Sequence, residues 1–237
     1  SAMARSYLVE ARRRVAPRKA RIVPIIERLA AEHPDAVIAL RFANDVELLV
    51  ATMLSAQTTD VTVNRVTATL FRKYRCPEDY LAVSLGELEQ DVRPTGTYRQ
   101  KARNLQGAMR MLVDEYGGEV PLALTDLVRL PGVGRKTANV VAAERGAAQG
   151  IVVDTHVRRL SQRLGLTRHD DPVKIERDLQ RVIPRADWAR LPHLLIWHGR
   201  RVCTARAPRC QSCVIADLCP ASRVDVVTPG ALVLHEA

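Results

Sequence analysis

Six side chains in this sequence carry chemistry by type and spacing. Cys203, Cys210, Cys213 and Cys219 fall within 17 residues in the pattern C-x6-C-x2-C-x5-C. Four thiolates from one short segment can ligate zinc or an iron–sulfur cluster. Zinc ribbons use two paired knuckles, and only one C-x-x-C is present here. Cys76 stands apart and reads as a small side chain without function. The other two are Lys136, in LVRLPGVGRKTAN (127–139), and Asp154, in VVDTHV (152–157). A Pro-Gly-x-Gly core cannot continue a helix, and Gly132 and Gly134 permit positive φ and close backbone approach. The turn and the helix start behind it (Gly132, Val133, Gly134, Arg135 and Thr137) form an anion site suited to a phosphate. The bland alternative is a tight turn between packed helices. Lys136 would lie in the first turn of the second helix. The helix dipole disfavours a cation there and so favours the neutral amine, a nucleophile. A surface lysine on a phosphate is the competing reading. Asp154 reads as a helix N-cap, and also as a carboxylate held ionised where positive charge develops. The two roles are compatible.

The elements that must position these residues are helical. Residues 17–32 place Ile22, Ile25, Ile26 and Leu29 on one stripe. Residues 45–54 are strongly apolar, with Asp45 as the expected N-cap, and 60–74 carry Val63, Val66, Leu70, Phe71 and Tyr74 at helical spacing. Residues 98–116 repeat the pattern and stop at Gly117-Gly118. Stretches around 77–92 and 121–130, then 135–145, 155–164, 172–182 and 191–202, complete the set. A short strand at Ile151–Val153 has no obvious partner. The fold class is all-α.

The chain has 237 residues, 47% hydrophobic, enough to bury a core and too apolar for disorder to be the default. Its net charge of +10 suits a polyanion, while 4% aromatics argue against rows of stacking rings on single strands. Duplex binding through phosphates is the better electrostatic reading. Ser1, Ala2 and Met3 look like a cloning remnant; no signal peptide follows, and no apolar run reaches membrane-spanning length. The expectation is a soluble protein of the bacterial cytoplasm or nucleoid, with no membrane partner.

LPGVGRKTAN followed by VDTHV resembles the helix-hairpin-helix DNA glycosylases, and within them the endonuclease III family. LSAQTTD at 54–60 resembles that family's LSAQ-x-TD loop, and HGRRVC at 198–203 its HGR segment, so the resemblance runs from about Val46 to Pro220. The cysteine spacing equals the family's signature for a [4Fe–4S] cluster. The resemblance implies a bifunctional DNA glycosylase and abasic-site lyase acting on oxidised pyrimidines and abasic sites in duplex DNA. Lys136 would attack the sugar C1′ and form a Schiff base that permits β-elimination, with Asp154 assisting. Gln57 would fill the gap left by a flipped nucleotide. Arg206 and Arg209, on the first cluster loop, would meet the phosphate backbone. His156 either lines the pocket or packs on its own helix. Asp60 caps its helix or touches the lesion, and the cap is favoured. Where relatives often carry a bulky apolar wedge, this chain has Thr97.

By resemblance the expected architecture is two helical domains with a cleft between them. A helical barrel would span about 38–148, with the helix-hairpin-helix at about 125–146. Residues 4–37 with 149–222 would form the cluster domain, and 223–237 a loose tail. Lys136 and Asp154 would face each other across the cleft of a monomer. Two rivals are a non-catalytic DNA-binding protein with structural zinc, and a specialised enzyme for abasic sites or mismatches.

Overall fold

A computed structural model describes residues 6–224. Residues 1–3, expected to be a cloning remnant, and all but the first two residues of the tail expected at 223–237 lie outside the described residues. Among those described, eleven α-helices and a few 3-10 turns account for the regular structure, and no strand is present. Residues 151–153 form no strand; Ile151 and Val152 are buried as side chains. The described chain forms two units: residues 37–152, and residues 6–36 with 153–224.

The 37–152 unit holds α2 (Asp45–Leu54), α3 (Asp60–Lys73), α4 (Pro77–Ala82), α5 (Leu85–Val92), α6 (Tyr98–Tyr116), α7 (Leu124–Leu127) and α8 (Arg135–Glu144). In α2, Leu48 to Leu54 are all buried, as expected of a helix apolar on every face. It packs on α3, α6 and α8. Its N-cap is Asn44, not Asp45: the Asn44 side chain accepts from the Glu47 N–H at 2.9 Å. Asp45 is already helical and instead pairs with Arg145 at 2.7 Å. The same shift occurs at α3, where Thr59 accepts from the Thr62 N–H and Asp60 lies in the first turn. A cap needs extended backbone, which Asn44 and Thr59 have; one residue later the chain has entered the helix. Thus Asp60 is not the cap. α6 buries Lys101, Ala102, Leu105, Ala108, Met109 and Leu112, and α4 and α5 pack against it. Gly117, at φ 62°, ends α6, and the Gly118 N–H closes back on the Leu112 carbonyl at 2.8 Å.

The second unit holds α1 (Arg18–Glu32), α9 (Thr155–Arg163), α10 (Pro172–Gln180) and α11 (Arg190–Arg201), with α11 against both α1 and α9. α1 buries the expected Ile22, Ile25, Ile26 and Leu29. α9 is unusual: with Val157 and Leu160 it buries Arg159, Ser161, Gln162 and Arg163. Buried polar groups need partners, and the two arginines find theirs around the cysteine segment described next.

Candidate active site and cysteine cavity

The hairpin runs from α7 through Leu130-Pro131-Gly132-Val133-Gly134 into α8. Gly132 has φ 77°, and a Cβ there would lie 2.6 Å from the Asn104 side chain, so glycine is required twice over. Gly134 differs from expectation. Its φ of −82° is ordinary, and it serves as the N-cap, with open space where a Cβ would point. Val133 is not a surface contact: its side chain is buried in the unit's core and its N–H is given to the Leu130 carbonyl at 3.0 Å. This buried valine anchors the turn and leaves Gly132, Gly134, Arg135 and Lys136 exposed, with Thr137 half-buried. No side chain caps α8 at Gly134, and Lys136 is its second residue.

Gln57 and Thr97, far apart in sequence, border one open cavity with Gly132, Asn104, Gln100 and Lys101. Both are exposed, and both have left-handed backbones, at φ 55° and 40°. Asp60 is half-buried in the first turn of α3.

In the other unit, Asp154 is the N-cap of α9: its carboxylate accepts from the Val157 N–H at 2.7 Å and is half-buried. His156, the second residue of α9, lies 3.1 Å from an Arg159 guanidinium nitrogen through Nδ1. Burial holds its pKa below the ordinary histidine value; Arg159 and Arg200 push the same way, against Asp154. Because a guanidinium only donates, Nδ1 accepts, and the neutral ring carries its proton on Nε2. Gly199 permits this packing, since a Cβ there would lie 2.8 Å from His156 and 2.9 Å from Arg159.

Cys203, Cys210, Cys213 and Cys219 line a common cavity whose walls include Leu160, Arg163, His198, Val202 and Ile215. None is in a disulfide. Burial pushes the Cys213 thiol up to about 11 and Cys219 up to about 12. Cys203 is also raised by burial, against the pull of Arg163 and Arg159. Arg163 donates to the Cys203 Sγ at 3.3 Å, and His198 Nε2 lies 3.4 Å from the Cys213 Sγ. Among the described residues no three His, Cys, Asp or Glu side chains group as a single-ion site; the thiols ring a cavity instead. Four soft sulfur donors around such a space, in surroundings that disfavour bare thiolates, fit an iron–sulfur cluster, whose positive charge would stabilise them. Arg206 and Arg209 are exposed on the first cysteine loop, and the Arg209 guanidinium donates to the Arg201 carbonyl.

Sequence reading passed over Lys101, Arg159, Arg163 and Gly199. For three of them a signal existed: Lys101 occupies the inward stripe of α6, and Arg159 and Arg163 occupy that of α9.

A glycine-turn hairpin in an all-helical unit, together with a four-cysteine cavity in the second unit, defines a helix-hairpin-helix DNA repair protein. Residues 50–185 match the HhH-GPD superfamily of base excision DNA repair proteins, and 203–219 match the iron–sulfur binding domain of endonuclease III. The chain is 48% identical to endonuclease III of Synechocystis over 215 residues, 89% of this chain and 97% of that one. It is 50% identical to endonuclease III of Bacillus subtilis over 195 residues, 82% and 89% of the two chains. A solved structure of a trapped endonuclease III–DNA covalent intermediate is 48% identical, with a TM-score of 0.81 over 86% of this chain and 96% of that one. The chain therefore belongs to the endonuclease III family of base excision DNA repair proteins. It is a DNA-binding glycosylase and abasic-site lyase that carries a [4Fe–4S] cluster. No helix among the described residues is long and apolar enough to cross a membrane.

Proposed function

We propose that this protein excises oxidised pyrimidines from duplex DNA and nicks the resulting site, with Lys136 as the nucleophile and Asp154 as the assisting carboxylate. The observation that carries the reading is the exposed Lys136 amine at the second position of α8, behind a turn fixed by Gly132 and the buried Val133. Its neutral amine attacks C1′, and the C1′–N bond breaks with its electron pair on the base, which takes up a proton. The amine gives up one proton, and as the C1′–O4′ bond breaks O4′ takes up a proton, leaving a Schiff base still protonated on nitrogen. That cation acidifies C2′, whose proton leaves as the 3′ C–O bond breaks and the phosphate departs. Water then hydrolyses the imine. The Asp154 carboxylate, already fixed as a cap, stabilises the positive charge at C1′ and can accept a proton. His156 offers an Nε2–H donor to the base, Arg206 and Arg209 meet phosphates, and Asp60 borders the lesion.

Cys203, Cys210, Cys213 and Cys219 would hold the cluster, which supplies a structural tie for the loop that carries the two arginines. The protein acts as a monomer in the bacterial cytoplasm. The test is a glycosylase and nicking panel over defined lesions in duplex DNA, with borohydride trapping. Excision of oxidised pyrimidines with covalent capture is expected; a protein that binds DNA but is never trapped would end the reading.

One observation favours a narrower substrate range. Thr97 offers a methyl and a hydroxyl where relatives often have a bulky apolar wedge, so flipping of stably paired lesions would be the weaker activity, and abasic or distorting sites the better substrates.

A further inference from the structure

Among the described residues, Gln57 and Thr97 are the two non-glycine residues with positive φ, at 55° and 40°. An L side chain keeps that conformation only where its surroundings hold it. What lies between their two segments is Lys101. It is 7% exposed, and its Nζ donates to the Leu54 carbonyl at 2.8 Å, to Thr58 Oγ1 at 2.9 Å and to the Thr95 carbonyl at 2.6 Å. Leu54 ends α2, Thr58 lies one residue past Gln57, and Thr95 lies two residues before Thr97. The Thr58 hydroxyl also donates to the Thr95 carbonyl, at 2.5 Å, and the Thr95 hydroxyl to the Val92 carbonyl at 2.7 Å. An ammonium has three donors, and here each has an oxygen. Burial pulls this ammonium below the ordinary lysine value, so a cation sits here against its solvation cost, at a stripe position where the neighbouring inward residues are Ala102 and Leu105.

We propose that Lys101 is a positioning residue for nucleotide flipping: its ammonium staples the Gln57 loop to the Thr97 turn and keeps both backbones left-handed at the edge of their common cavity. The inference rests on the reading of Gln57 as the residue that fills the vacated stack. Without the staple, both segments relax towards ordinary φ, and the side chains lose their aim before the damaged base is reached. Lys101 touches neither substrate nor reacting atoms in this account.

Lys101→Met keeps the side-chain length and removes all three donors. The cluster-loaded full chain is tested by three signals: 2-aminopurine fluorescence beside a stably paired lesion, single-turnover excision of that lesion, and borohydride trapping at a preformed abasic site. Flipping and paired-lesion excision are expected to fall about tenfold or more, whereas trapping at the abasic site, where less stacking is lost, should change by less than about threefold. Thr97→Gly in the Lys101→Met background should restore part of the flipping signal, because glycine takes positive φ at no steric cost. Wild-type flipping in Lys101→Met, or an equal loss in all three signals that Thr97→Gly does not relieve, would overturn the proposal. Should Lys101→Met not accumulate as folded protein, Thr58→Ala removes one acceptor and the Thr58–Thr95 bond and is judged the same way, a selective loss supporting the staple and a uniform or absent one refuting it. Gln57→Ala separates the two readings. If it flips normally, the role given to Gln57 falls, while the Thr97→Gly rescue still decides the role of Lys101.

Discussion

Residues 37–152 bury their apolar side chains on one another, whereas the segment after α11 has few to bury. In the first region, side chains from Leu48 to Ala142 make one continuous core, with Leu105, Met109 and Leu112 of α6 fully buried within it. In the second, between Val202 and Ser222, the buried apolar groups are Val202, Ile215, Pro220 and Ala221. Arginines hold that segment instead. Arg163 donates to the carbonyls of Thr204 at 2.7 Å and Ala205 at 3.0 Å, Arg21 to Leu218 at 2.7 Å, Arg28 to Val214 at 3.1 Å, and Arg159 to Cys203 at 3.2 Å. A non-helical segment leaves carbonyls without regular partners, and a guanidinium with five donors can serve several at once. Where apolar area is scarce, helix-borne arginines, of which Arg21, Arg159 and Arg163 are buried, and a cluster take over the work that packing does elsewhere.

The strongest test of the division concerns chemistry. Lys136→Gln alters an exposed residue of the packed unit, so it should stay folded, keep its iron and bind DNA, yet lose strand nicking and borohydride trapping completely. Normal trapping would mean that another amine is the nucleophile. Asp154→Asn, in the arginine-held unit, should cost about 10²–10⁴-fold in turnover while leaving thermal stability nearly unchanged, because Asn also caps well. Asp154→Ala should lose the same turnover and a further ~1 kcal/mol of stability. Unchanged turnover in Asp154→Asn would reduce this residue to a cap.

A matched pair then compares the two kinds of support. Arg163→Met removes a buried cation and strands Glu10, its partner at 2.8 Å, so a loss of about 3–5 kcal/mol is expected, with the visible absorption of the cluster falling in parallel. Leu105→Ala should cost about 2–5 kcal/mol and leave the iron content at about four per chain. If both variants lost iron equally, the loop would not depend on its arginines in the way described. The smallest effect belongs to the wedge. Thr97→Leu adds apolar area, which at roughly 25 cal/mol per Å² returns on the order of 1 kcal/mol of flipping cost. Single-turnover excision should rise on a stacked lesion and stay level on a distorting one; equal rates before and after would show that another residue supplies the wedge.

Much of this molecule was legible without coordinates, because the signals are local. The helix over 98–116 is bounded by its own stripe and by glycine at its end, and α6 has those limits. Asp154 caps α9 because a short acceptor before an apolar helix start needs only the next three residues. The four cysteines declare themselves by type and spacing. The two mistaken caps, Asp45 and Asp60, show the limit of even local reasoning: Asn44 and Thr59 compete one residue earlier, and backbone angle decides between them. Only the tertiary structure decided that Val133 turns inward to anchor the hairpin and that Gly134 needs no positive φ. Only it brought Gln57, Thr97 and Gly132 to one cavity, with Lys101 tied between the first two. Those facts depend on which carbonyls and side chains arrive from elsewhere in the chain, and a buried cation is tolerated only once its acceptors are in place.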